Sequence, residues 1–188
     1  MKTNEISGAV LAGGGSKRMG IKKAELKLGD RTFLEIQVQK LRDLGIEDIM
    51  VSGYDEAMDG TRAVADIYPG KGPLSGVHAC LKAAQKPACL VVSVDTPLVP
   101  AEVMETLMEA HEGDATVLAH DDLIEPLLAV YDSSLHERAE MLILSDSWSM
   151  RRMSSNPAVK RVEYTGDMDL LLNCNTPEDF EKAKSLWR

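Results

Sequence analysis

Three consecutive glycines, Gly13, Gly14 and Gly15, close an apolar run and lead directly into Lys17, Arg18, Lys22 and Lys23. Glycine lets a backbone approach a ligand closely and turn its N–H groups toward an anion. A guanidinium can grip a phosphate through two parallel hydrogen bonds, and a lysine ammonium adds a compact point charge. The pattern is that of a phosphate cradle, with Arg18 and Lys23 as its candidate catalytic cations. Two familiar phosphate motifs fail the count. In the Walker frame Gly15 and Gly20 have the right gap, but Ile21 stands where the lysine belongs. In the dinucleotide fingerprint Gly13 and Gly15 fit, but Arg18 replaces the third glycine. The plain alternative is a tight turn followed by a solvated basic patch.

Asp95 ends the apolar run "ACLVVSVD". Open α/β sheets gather their ligands at the carboxyl ends of such strands, and a hard carboxylate oxygen suits magnesium. The competing reading is an aspartate that caps the turn into "TPLVP". Asn173 and Asn175 are two apart and would share a face on a strand, where their amides could bind a polar ligand; either could instead cap the following helix. Arg151 and Arg152 read as a solvated pair, with acceptor-phosphate binding as the alternative, and Asp121 and Asp122 as a polar turn. No spacing among the four histidines suggests a metal site, and no nucleophile–base set is readable.

These residues need elements to position them. Ile6 to Ala12, Glu47 to Gly53, Arg62 to Asp66 and Ala88 to Asp95 read as strands, the last covered on both faces. Thr32 to Leu44, Gly72 to Gln85 and Pro100 to His111 read as helices. "ATVLAH", "EPLLAVY" and "KRVEY" follow as strands, with a helix from Ser133 to Leu144 between the last two. Thr176 is the expected N-cap of a closing helix that has Pro177 at its first position. The alternation predicts an α/β fold with a mostly parallel sheet, and no linker divides the chain.

The net charge of −9 argues against a broad nucleic-acid face, yet a small anion feels the local field. Cys80, Cys89 and Cys174 form no metal spacing and read as buried thiols of a reducing compartment. With no signal peptide and no apolar run long enough to span a bilayer, the expectation is a cytoplasmic protein without a membrane partner.

The stretch "LAGGGSKRMGIKK" resembles the nucleotidyltransferase signature L-A-G-G-x-S-x-R-M-G-x-x-K. In order along the chain, "GPLSGVHACL", "SVDTPLVP" and "NCNTPEDF" are similar to three further segments of the molybdenum cofactor guanylyltransferases. The first motif is shared with sugar-phosphate and cytidylyl transferases; the Asn-x-Asn-Thr-Pro-Glu ending narrows the likeness. The resemblance implies one Rossmann-like three-layer domain over residues 1–188, of the nucleotide-diphospho-sugar transferase type. It implies transfer of GMP from GTP to the phosphate of molybdopterin, with pyrophosphate released and Mg2+ as cofactor. Molybdoenzymes or their chaperones would be further partners.

Residue by residue, the resemblance assigns Leu11, Ala12 and Gly13 to the nucleotide, and Gly14, Gly15 and Arg18 to its triphosphate. Lys23 and Asp66 would contact the nucleotide, Asp95 would hold the metal, and Asn173 and Asn175 would lie on the acceptor side. Ser52 falls near a position that is often asparagine. Lys22 departs from an aspartate in many relatives, adding positive charge beside the phosphates; Ser75 and Cys174 are mild departures. Residue types alone leave open a cytidylyltransferase for the same pterin, a sugar-phosphate nucleotidyltransferase, or a carrier that binds nucleotide without catalysis.

Overall fold

The computed structural model describes residues 3–13, 22–56, 58–154 and 158–187. Its elements run β1 (Ile6–Leu11), β2 (Lys27–Leu28), β3 (Arg31–Thr32), α1 (Phe33–Asp43), β4 (Ile49–Ser52) and β5 (Arg62–Val64). Then come α2 (Pro73–Ala83), β6 (Ala88–Ser93), α3 (Ala101–Ala110), β7 (Ala115–His120) and β8 (Leu123–Asp132). The chain continues with α4 (His136–Leu144), α5 (Met150–Met153), β9 (Val159–Glu163) and α6 (Pro177–Leu186).

Seven strands form one sheet in the order β5-β4-β1-β6-β8-β7-β9. All run parallel except β8, which is antiparallel to both β6 and β7. Alternate side chains of the buried strands feed two separate cores. Ile6, Val10, Leu90 and Val92 pack with Phe33, Val38 and Leu41 of α1, Met104 and Leu107 of α3 and Ala183 of α6. Ala9, Leu11, Cys89 and Val91 pack with Leu74, Val77 and Leu81 of α2, Ala139 and Ile143 of α4 and Met153 of α5. Helices on both faces of the sheet give the expected three layers, and explain why β1 and β6 are buried at every position.

Local signals set the helix ends. Thr32 caps α1 and Thr176 caps α6, each in a reciprocal capping box, with Glu35 and Asp179 respectively. Pro177 stands in the first turn of α6 as its sequence predicts. Asp121 and Asp122 form the tight β7–β8 turn with φ of 46° and 64°, a left-handed pair that short polar side chains tolerate. From β1 the chain winds outward through β4 to β5, then returns through α2 to β6 on the other side of β1. The β1–β6 boundary is therefore the switch point of the sheet, where a crevice opens beyond the strand ends.

Two expectations need correction. Asn173 and Asn175 do not lie on a strand. They occupy the irregular segment between a single 3-10 turn, Met168–Leu171, and α6. The Asn175 N–H bonds back to the Asn173 carbonyl at 2.9 Å while the Cys174 amide docks on the Asp95 carbonyl at 2.8 Å. That local turn, pinned by the buried Cys174, separates the two asparagine side chains. The strand starting at Ala88 also ends at Ser93, so Asp95 stands in the loop beyond it.

Candidate active site

A cleft of about 440 Å3 lies at the switch point. Leu11, Ala12, Gly13, Lys23, Ser52, Asp66 and Asp95 all line it. The ends of three parallel strands meet there: Val94 N–H bonds to the Leu11 carbonyl at 3.0 Å, and Ala12 N–H to the Ser52 carbonyl at 2.8 Å. Gly14, Gly15 and Arg18 lie outside the described residues.

Lys23 is the hub. It opens the short 3-10 turn Lys23–Glu25, anchored by the buried Ala24. Its Nζ donates to Asp95 Oδ2 at 2.8 Å and to Asn175 Oδ1 at 2.5 Å. Both ionic side chains are mostly shielded, Lys23 at 17% and Asp95 at 18% exposure, so their attraction is less screened than that of a surface pair. Ser93 Oγ donates to Asp95 Oδ1 at 2.5 Å. Each carboxylate oxygen thus accepts one bond and keeps lone-pair capacity for a further ligand.

The base of the loop that carries Asp95 is held from beneath by α1, which sequence reasoning missed. Buried Gln37 donates from Nε2 to the carbonyls of Ser93 at 2.8 Å and Thr96 at 3.0 Å. One turn on, Lys40 donates to the carbonyls of Pro97 at 2.6 Å and Val99 at 2.7 Å. Burial of that ammonium pulls its pKa down to about 8. The signal was a polar Gln37 on the apolar stripe formed by Leu34, Val38 and Leu41.

On the opposite wall Ser52 Oγ donates to Asp66 Oδ1 at 3.1 Å, so Ser52 orients Asp66. Gly76 of α2 leaves room for it: a Cβ there would sit 2.9 Å from Ser52 Oγ. Gly53, at φ +78°, crosses Gly13 so closely that a Cβ on Gly53 would lie 2.3 Å from the Gly13 Cα. The α2 amino terminus also reaches the cleft, through Gly72 and Pro73, and a helix start favours negative charge.

Lys22 does not line this cleft. Its Nζ sits over the Tyr54 ring at 5.2 Å and pairs with Glu25 at 3.8 Å, on an exposed side chain. The lysine in place of an aspartate therefore leaves the described part of the cleft unchanged. Asn173 lines a second cavity of about 220 Å3, which shares Pro73, Ser93 and Leu127 with the first. Arg151 and Arg152 lie exposed on α5, with Arg152 donating to Ser147 Oγ at 3.1 Å. Among the described residues no three His, Cys, Asp or Glu side chains cluster as a metal site. No described helix is long and apolar enough to cross a membrane.

Residues 8–159 match the MobA-like NTP transferase domain. The chain belongs to that family. Its relatives include a probable molybdenum cofactor guanylyltransferase of Carboxydothermus hydrogenoformans, 35% identical, with 95% of each chain covered. One from Opitutus terrae, also named as a probable molybdenum cofactor guanylyltransferase, is 38% identical over 95% of each chain. Among solved structures, molybdopterin-guanine dinucleotide biosynthesis protein A of Archaeoglobus fulgidus superposes with a TM-score of 0.80 at 26% identity. That superposition covers 96% of this chain and 97% of that one. The MobA-like chain is thus a nucleotidyltransferase by family, and its cleft at the switch point is the candidate active site.

Proposed function

We propose that this nucleotidyltransferase moves GMP from GTP to the phosphate of molybdopterin, forming molybdopterin guanine dinucleotide and releasing pyrophosphate. The observation that carries the reading is Lys23, which joins Asp95 and Asn175 inside a cleft at the switch point of the sheet. The named relatives support guanine as the base and molybdopterin as the acceptor.

In this reaction an acceptor phosphate oxygen attacks the α-phosphorus, and the bond from that phosphorus to the β-phosphate oxygen breaks. Such transfers depend on positioning and charge neutralisation more than on covalent help. Leu11 to Gly13 form the floor for the nucleotide, and Asp66, oriented by Ser52, offers an acceptor to an N–H or hydroxyl of the nucleoside. Lys23 neutralises phosphate oxygens and holds Asp95 in place. Arg18 is assigned to the triphosphate by its motif position. Asp95 would hold magnesium: a single shielded carboxylate with free lone pairs suits an ion that takes its other ligands from phosphates and water. When bound there the ion would neutralise charge on the phosphate oxygens. Asn175 and Asn173 are read on the acceptor side, the first at Lys23 and the second in the adjoining cavity. The free, buried cysteines support a cytoplasmic setting.

The test is pyrophosphate release across GTP, CTP, UTP and ATP, with and without molybdopterin. GTP and molybdopterin together should give release, and Asp95→Ala should abolish it while the circular-dichroism spectrum is kept. Equal rates with CTP would move the reading to a cytidylyltransferase, and GTP binding without release would indicate a carrier.

A further inference from the structure

The second cavity has a feature that no sequence motif foretold. β7 and β8 pair regularly from Ala115↔Tyr131 to Val117↔Ala129, and then the register jumps to Leu118↔Glu125. Pro126, Leu127 and Leu128 have no partner on β7 and bulge away from it. All three line the second cavity, and Leu127 also lines the cleft. The bulge is braced from within: the buried Tyr131 hydroxyl donates to the Pro126 carbonyl at 2.7 Å and meets Ser154 Oγ at 3.0 Å. Bulges recur beside active sites because they re-aim side chains.

Glu125 closes the bulge, opposite Leu118 on β7. Glu125 lines a cavity whose other walls include Leu128, Met150, Leu171 and Val99. His120 Nε2 stands 3.0 Å from Glu125 Oε1 and fixes the side chain. Oε2 has no hydrogen-bond partner among the described residues. A carboxylate with free lone pairs at the edge of an apolar slot calls for a flat ligand that carries N–H donors along one side. An apolar cavity of about 150 Å3 takes up benzene, and this one, at about 220 Å3, has room for a fused bicyclic ring.

We infer that this cavity takes the fused heterocycle of the acceptor and that Glu125, positioned by His120, accepts hydrogen bonds from the amino and ring N–H groups of its pterin edge. The inference rests on the acceptor class proposed above. The shared wall at Ser93, Pro73 and Leu127 lets a phosphate tethered to that ring reach Lys23 and Asp95. Glu125 is then a specificity-determining residue for the acceptor, outside the nucleotide site.

The test uses the full chain and two fluorescent probes: pterin, and lumazine, which has an oxygen in place of the 2-amino group. Loss of a charge-assisted bond to a carboxylate that is 33% exposed costs about tenfold in affinity. The wild-type protein should therefore bind pterin about tenfold more tightly than lumazine. Glu125→Gln should erase that preference and raise the KM for molybdopterin in pyrophosphate release, while GTP affinity by titration holds. The wild-type comparison needs no variant, so it decides the matter even if Glu125→Gln fails to fold. Intact GTP-dependent transfer with no pterin preference overturns the role of Glu125 and leaves the proposed reaction standing. A protein that does not transfer GMP to molybdopterin at all overturns the reaction itself.

Discussion

Gln37→Met separates what the α1 tether does for stability from what it does for the site. The substitution keeps the side chain's length and removes two hydrogen bonds to the Asp95 loop, at 2.8 and 3.0 Å. Each is worth about 1 kcal/mol net, so their loss costs about 2 kcal/mol. Neither carbonyl is orphaned, because Thr96 Oγ1 still donates to Ser93 O at 3.1 Å and Val99 N–H to Thr96 O at 3.3 Å. Against the loss stands Gln37 Oε1, which is buried without a partner among the described residues. Removing an unpaired buried acceptor returns about 1–3 kcal/mol. The two terms nearly cancel, so stability should change by less than about 1 kcal/mol, or about 4 °C in Tm for a chain of this size. Activity has no such compensation. A loop freed to shift by about 1 Å can lose on the order of 100-fold in rate. Thermal unfolding beside pyrophosphate release reads both quantities. Unchanged kcat/KM, or a Tm drop of about 8 °C, the uncompensated loss of both bonds, would refute the reasoning.

Three further outcomes follow from the geometry. Gly53→Ala puts a Cβ 2.3 Å from the Gly13 Cα at a φ of +78°, so urea unfolding should show a loss of about 3 kcal/mol, and GTP titration weaker binding; a neutral substitution would mean the two backbones part freely. Lys40 has a folded pKa of about 8, below its ordinary 10.5. Between those values the unfolded chain holds a proton that the native state has released, so this group's contribution to stability rises with pH across the window. The penalty of about 3 kcal/mol is complete below pH 8, so the stability of Lys40→Met relative to wild type should fall by that amount from pH 7.5 to 10.5; a constant difference would sink the claim. Burial drives the Cys80 and Cys174 thiols up to about 12 and Cys89 well above its usual value, so iodoacetamide at pH 8 should label none of them before denaturant is added. Rapid labelling of the native protein, read by mass spectrometry, would contradict that burial.

The parts of the fold that were legible are those with long, one-sided or fully apolar patterns. β1 and β6 could be read because every position faces a core, and α6 because Thr176 and Pro177 mark its start. The β2–β3 hairpin was overlooked, since two-residue strands carry no periodicity; its one signal was the Gly29–Asp30 turn. In the site, Lys23, Asp66 and Asp95 could be named from motif and position, whereas the Gln37 and Lys40 tethers depend on which carbonyls α1 meets across the core. The β8 bulge was hidden for a similar reason: "EPLLAVY" reads as one strand, and only its pairing with β7 exposes the register jump. The separation of Asn173 from Asn175 depended on the docking of Cys174 against Asp95, a contact between segments far apart in the chain.

The bond between Lys23 and Asn175 joins residues 152 positions apart. A ribosome therefore delivers the cation, then the carboxylate, and only much later the amide that locks them together. Until the 173–175 segment has emerged and α6 has set Phe180 against Phe33, the Lys23–Asp95 pair stands without its third member. The sheet can gather its parallel strands earlier, but the Lys23–Asp95–Asn175 cluster can be completed only late in synthesis. A nascent chain still being made would therefore lack the finished cluster until that last segment has docked on its scaffold.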